Sequence, residues 1–272
     1  PLPLRCRYLT MRASQLTLSY HTNSVCCTFG ISSIQSSVSM AAAARAEDAA
    51  VSTRLDLAYV SKYVWRGLVA NPGPSLQPSF AVTHGSGLSV NVWGSGDLTG
   101  VNGAENRLTD LDYTLDYSTN LVGRSVNAGV IYYTFPNTSF HSTTEAYGAV
   151  CFDGSLATTL SANYDFDEAG GCYASATASC ACPAPWQKGE PLTVDLSARL
   201  SWASAGYNAF YFGADKAAFT DLLITASLPL KLSGGLSLIP SLSYSRVLDS
   251  DLRDSVAAPD NLWLAVAASM SF

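Results

Sequence analysis

Charge is scarce in this chain: Asp, Glu, Lys and Arg make up 13% of its 272 residues, about half the usual share for soluble domains. Long apolar runs are missing too. Beyond the N-terminal region no stretch of about 18 apolar residues occurs, which excludes bilayer-spanning helices. No Lys/Arg cluster exceeds two residues and the net charge is −6, which argues against nucleic acid as a partner. Histidine is limited to 3 residues. Ser, Thr, Gly and Ala are plentiful, by contrast, and Tyr supplies 14 residues. A chain poor in charge, rich in Tyr and free of long apolar runs has the profile of an all-β protein that alternates small polar and apolar residues.

The N-terminal region reads differently from the rest. Ala44-Arg45-Ala46 ahead of Glu47 has the small-x-small form of a signal-peptidase site, while the apolar region Val25 to Ile34 is interrupted by Thr, Gly and Ser. Residues 1–46 are expected to be a signal peptide or a non-native N-terminal extension, and 47–272 one barrel domain.

From Ser52 onward the dominant period is two. Leu55, Leu57, Tyr59, Ser61, Tyr63 and Trp65 alternate with Asp56, Ala58, Val60, Lys62 and Val64, and Leu111, Tyr113, Leu115 and Tyr117 alternate with Asp110, Asp112, Thr114 and Asp116. Similar segments cover Leu76–Val82, Leu88–Val92, Val126–Tyr133, Thr144–Phe152, Thr158–Phe166, Cys172–Cys180, Leu192–Trp202, Leu222–Leu230, Leu236–Tyr244 and Leu262–Phe272. These are about twelve strands of the length a tilted strand needs to cross a bilayer. Connections mostly alternate between long and short, with two exceptions, Asp167–Gly171 and Ala181–Pro191. A lipid-facing sheet cannot leave an edge unpaired, so it must close on itself. The predicted fold is all-β: a closed antiparallel up-and-down transmembrane β-barrel with short periplasmic turns and longer outer loops.

If the apolar faces meet lipid, the lumen receives Arg54, Asp56, Lys62, Arg66, Asp110, Asp112, Asp116, Asp165, Asp195 and Arg199. Such charges either pair and fill a closed lumen or form a field that selects small polar or charged solutes. Leu55 to Trp65 is one bilayer crossing on this reading, which puts Tyr63 and Trp65 in an aromatic girdle at the outer interface and turns Lys62 and Arg66 into the pore mouth. Phe272, which ends the alternating last strand, is a third girdle residue and resembles the signal read by barrel-assembly machinery.

Other chemistry finds little support. His141 and Ser142, with Glu145 nearby, are the one nucleophile arrangement to test, and no strand-borne serine partner accompanies them. Cys180-Ala181-Cys182 has no histidine close by, and Asp249, Asp251 and Asp254 lack the spacing and glycine of a calcium loop. No metal site and no cofactor is expected. Cys151, Cys172, Cys180 and Cys182 are even in number, as suits an oxidising compartment. Cys172 and Cys180 would be about 27 Å apart along a strand, too far to pair.

Ser61-Lys62-Tyr63-Val64-Trp65-Arg66-Gly67, followed by Gln77-Pro78-Ser79, resembles the start of the TorF-type family of bacterial porin-like proteins, formerly catalogued as conserved proteins of unknown function. The stretches Ala128 to Asn137, Thr143 to Val150 and Ala162 to Thr177 are similar to that family as well. The resemblance implies an outer-membrane barrel with a transport role and carries no catalytic or ligand residues. The expected function is a porin-like channel for passive diffusion of small hydrophilic solutes in the bacterial outer membrane, not an enzyme. The alternative is a non-conducting barrel acting through its long outer loops. Expected partners are outer-membrane lipid, the assembly machinery and small polar solutes, and a homo-oligomer is compatible with all of this.

Overall fold

Alternation of period two resolves into long antiparallel strands in a computed structural model, which describes residues 50–183 and 192–272. The expected N-terminal extension and most of the Ala181–Pro191 connection lie outside the described residues. In chain order the elements are β1 (Val51–Val60), β2 (Tyr63–Trp65), β3 (Leu68–Asn71), β4 (Ser75–His84), β5 (Leu88–Asp97), β6 (Arg107–Leu121), β7 (Arg124–Thr134), β8 (Thr143–Phe152), β9 (Ala157–Asp165), β10 (Gly171–Pro183) and β11 (Thr193–Ala203). They continue with α1 (Ala205–Phe212), β12 (Ala218–Ser227), β13 (Leu230–Lys231), β14 (Leu236–Val247), α2 (Ser250–Ser255) and β15 (Asp260–Ser271).

Each wall strand pairs with its neighbours in sequence, from β4 through β12. β12 then pairs with β14, β14 with β15, and β15 with β1, which closes the ring. The result is a closed 12-stranded antiparallel up-and-down barrel. Every expected strand has a counterpart, but the extents differ: β5 runs on to Asp97, β6 covers Arg107–Leu121, β12 is shifted to Ala218–Ser227, and the first strand starts at Val51 and leaves the wall at Val60 instead of running on to Trp65.

At the end where β1 begins and β15 finishes, the connections between β4 and β5, β6 and β7, and β8 and β9 are short. The turn between β6 and β7 is Val122-Gly123 with φ of 51° and 71°, the positive pair that a two-residue hairpin needs to match strand twist. At the other end lie β2, β3, α1 and α2, within the connections 61–74, 204–217 and 248–259.

The faces are inverted relative to a water-soluble domain. Leu55, Leu57 and Tyr59 on β1, Tyr113, Leu115 and Tyr117 on β6, and Leu262, Leu264 and Val266 on β15 all point outward and are exposed. Ser79, Ser95, Thr159, Ser201, Thr225, Ser243 and Ser269 point inward and are buried. So much outward apolar surface is stable only against an apolar medium. Buried apolar clusters lie inside the bore, toward the end with the helices: Val60, Tyr63, Trp93 and Ala265; Val64, Leu223 and Trp263; and a larger group around Tyr207.

Candidate functional site

The chain enters the bore where β1 ends. The Ser61 amide donates to the Leu264 carbonyl at 2.9 Å, continuing the backbone pairing with β15 one residue past β1, and Lys62 Nζ donates to Asn261 Oδ1 at 2.9 Å. β2 and β3 then form a separate two-stranded hairpin inside the barrel. Tyr63 Oη donates to Asp110 Oδ2 at 2.9 Å, and the Tyr63 ring packs on Trp93 with centroids 5.6 Å apart. Val64 packs against Leu223 and Trp263. The turn is made by Arg66 and Gly67, both in the left-handed region at φ 47° and 85°. Gly67 is required there twice over, by its backbone and by space, since a Cβ would lie 3.1 Å from Cβ of Asp221 and 3.3 Å from Cγ2 of Val247. Asn71 guides the return, donating to Ser75 Oγ at 3.0 Å and accepting from the Gly73 amide at 2.9 Å. One hairpin therefore touches β5, β6, β12, β14 and β15, and spans the bore.

Arg66 extends that reach to the opposite wall. Its guanidinium binds Glu145 on β8 through two bonds of 2.8 and 2.7 Å, and donates to Tyr207 Oη on α1 at 3.2 Å. The guanidinium carbon lies 4.5 Å from the centre of the Trp65 ring and 4.4 Å from that of Tyr173 on β10. Glu145 also accepts from Tyr133 Oη on β7 at 3.0 Å and from Asn163 Nδ2 on β9 at 3.2 Å. A charge buried this deeply is tolerated only with a bidentate partner and further hydrogen bonds, and Arg66 has both.

The other inward charges are mostly engaged with the wall. Arg54 Nε donates to Asp56 at 2.9 Å. Asp221 accepts from Arg199 at 3.2 Å and from Tyr173 Oη at 2.8 Å. Asp116 accepts from Tyr147 Oη at 2.5 Å and from Asn127 at 3.0 Å. Tyr147 passes over Gly129, where a Cβ would stand 2.7 Å from its hydroxyl. Asp165 is fully buried and ties down the 166–170 turn, accepting from Thr143 Oγ1 at 2.8 Å and from the Asp167 amide at 3.0 Å. Asp195 lies inward on β11 between the outward Val194 and Leu196. Asp110 and Asp112 are nearly fully buried on β6, and Oδ1 of each lacks a partner among the described residues.

α1 closes the same end. Ser204 caps it, and Tyr207 is so close to β10 that a Cβ on Gly171 would collide with the Tyr207 backbone. Lys216, just after α1, binds Asp249 at 3.0 Å and Asp251 at 2.8 Å beside α2. Hydrogen bonds to Asp251 and Asp249 raise the Lys216 pKa, and the bond from Lys216 lowers that of Asp249.

Several expectations from sequence are corrected. Tyr63 and Trp65 lie inside the bore, not in an outer girdle: Tyr63 is 4% exposed and Trp65 packs on Tyr133 and Tyr211. The physical reason is strand length, because Val51–Val60 already completes a crossing. Arg66 is a buried, sealed contact toward the helix end of the bore, not an open group at the mouth. Glu145 faces the bore and is taken by Arg66, so it does not join His141, which lies 3.7 Å from Glu168. Asp249 caps α2 and, with Asp251, holds an ammonium where a calcium ion was considered. Phe272 is exposed at the end of the outward face of β15, its amide donating to the Thr53 carbonyl at 2.9 Å. Cys151, Cys172, Cys180 and Cys182 are free, with Cys151 inward and the others outward. The wall partners Tyr133, Glu145, Tyr173 and Asp221 were missed. Their signal was present, since each occupies an inward phase of its strand and a large or charged side chain there must meet something inside.

Comparisons with known proteins agree with this architecture. The barrel is similar to the solved KdgM porin, with a TM-score of 0.50, 11% identity, and 80% of this chain matched to 99% of that one. It is similar also to a KdgM porin in complex with disordered oligogalacturonate, with a TM-score of 0.50, 8% identity, and 81% and 99% of the two chains covered. At such identity the likeness shows the fold alone. Among curated proteins nothing matches. Residues 42–239 match the profile of a family described as bacterial protein of unknown function (Gcw_chp), and the chain belongs to that family.

Proposed function

We propose that the protein is a porin-like channel of the bacterial outer membrane, passing small hydrophilic solutes by diffusion and without covalent chemistry, with the β2–β3 hairpin setting whether it is open. The observation that carries this reading is the closed ring with apolar residues outside and hydroxyl-bearing residues inside. Such a wall supports transfer of polar solutes across lipid. The TorF-type resemblance and the porin-type barrel point the same way. The outward apolar band would meet lipid, and β15, ending at Phe272, would be the strand offered to the assembly machinery.

Lumen charge would set selectivity. The inward carboxylates Asp56, Asp110, Asp112, Asp116, Glu145, Asp165, Asp195 and Asp221 outnumber the inward cations Arg54, Lys62, Arg66 and Arg199. Neutral and cationic solutes suit this bore better than an acidic sugar such as the one named in the KdgM complex. Purified protein in a planar bilayer tests this: openings in a KCl gradient should reverse on the cation-selective side, and reversal on the anion side would overturn the selectivity.

A second reading is favoured by the hairpin itself, which joins opposite walls in this conformation. On that reading the barrel never conducts and its outer loops meet a partner. A complete absence of openings, in the wild type and with the hairpin removed, would favour it.

A further inference from the structure

Arg66 is a guest in a pocket that the barrel wall builds without it. Glu145, Tyr133, Asn163 and Tyr173 come from four consecutive wall strands, β7 to β10, and Tyr207 comes from α1. From the hairpin only Trp65 joins them. Glu145 is fully buried, and its Oε2 accepts from Tyr133 at 3.0 Å and from Asn163 at 3.2 Å, which fixes the carboxylate from the wall side. Tyr173, whose face covers the guanidinium at 4.4 Å, is itself fixed by hydrogen bonds to Ser201 at 2.7 Å and Asp221 at 2.8 Å. A carboxylate presented for two parallel bonds, with an aromatic face above it, recognises a planar guanidinium better than a compact ammonium. Apart from Trp65, these supports stay behind if the hairpin withdraws.

We propose that this wall pocket is a binding site for guanidinium-bearing solutes, and that Arg66 occupies it as an internal surrogate while the bore is closed. The proposal rests on the channel reading only for how a solute reaches the pocket. A free guanidinium competes with a tethered one, so it shifts the hairpin outward in proportion to its affinity for the vacated site. Asp110 and Asp112 add to the preference. Asp110, which holds the hairpin through Tyr63, and Asp112 are two further buried acids on β6, and the Oδ1 atom of each is unpartnered among the described residues. A solute carrying a second cationic group, such as agmatine, would find acceptors there.

Chemical rescue tests the pocket directly. In the Arg66→Ala variant, folded in detergent, methylguanidinium at several times its dissociation constant should raise the melting temperature by about 2–4 °C. Methylammonium at equal ionic strength should not, and the effect should vanish in R66A/E145Q. Equal effects of the two ions, or rescue that survives in the double variant, would overturn the proposal. Where R66A does not refold alone, refolding restored by methylguanidinium and not by methylammonium is the supporting result. The wild type gives an independent readout, because chymotrypsin can cut after Tyr63 or Trp65 only when the hairpin is out. Agmatine should accelerate that cleavage several-fold, and cleavage indifferent to agmatine would sink the idea. No readout here needs conduction, so a barrel that never conducts but shows rescue defeats the channel reading and leaves the pocket standing.

Discussion

Tyr63 Oη donates to Asp110 Oδ2 at 2.9 Å inside the bore, although Tyr63 shares the sequence phase of the outward Leu55, Leu57 and Tyr59. The bond joins the hairpin to β6 and leaves Asp110 one buried partner. Tyr63→Phe removes the donor while keeping the ring on Trp93, and should cost about 1–3 kcal/mol through the stranded carboxylate oxygen. Urea unfolding in detergent micelles measures the loss, and the hairpin should also open more often in bilayer recordings.

That same pair shows what was legible in the sequence. Alternation marked all the wall strands, because lipid outside and a polar bore inside force a strict period of two on every crossing. It could not mark the hairpin, since Tyr63 and Trp65 keep the phase of β1 after the strand has left the wall. Two local signs pointed to the break. Val51 to Val60 is a full crossing before Lys62 is reached, and Arg66-Gly67 supplies a turn whose glycine accepts positive φ. The charge at Arg66 was legible as inward, but its partner was not: Glu145 is distant in sequence and is brought close only by closure of the ring. The loop helices α1 and α2 lack any periodic signal long enough to read.

Glu145→Gln tests the ion pair. It leaves the Arg66 guanidinium buried against a neutral amide, and breaking a buried pair on one side costs about 3–5 kcal/mol. The predicted result is a lower midpoint of unfolding and faster chymotrypsin cleavage at the hairpin, with R66A/E145Q losing less than the sum of the single changes.

The outward face gives a prediction about lipid. Leu115, in the middle of β6, is 52% exposed. Leu115→Arg should destabilise the barrel in liposomes by about 2–4 kcal/mol, whereas the same change at Val122, in the rim turn, should have little effect. Reversible folding titrations in vesicles measure both, and equal effects would contradict the assignment of that face.

The clamp between α1 and α2 is expected to depend on pH at both ends of the scale. Asp249 has a lowered pKa through the bond from Lys216, so its contribution is complete above the ordinary carboxylate value of about 4 and is lost as pH falls through the lowered one. Lys216 has a raised pKa through Asp251 and Asp249, so its contribution is complete below about 10.4 and is lost as pH rises through the raised one. Hydrogen exchange of the Gly213 and Ala214 amides should be most protected, relative to the intrinsic rate, between these limits. Protection unchanged in Lys216→Ala would contradict the clamp.

The central claim is that a porin-type barrel is closed by its own first connection. Its most direct test is single-channel recording of the wild type beside a variant in which residues 62–73 are replaced by a short Gly-Ser link. The predicted result is rare openings for the wild type and a steady, larger conductance for the variant. Indistinguishable traces from the two proteins, conducting or silent, would contradict it.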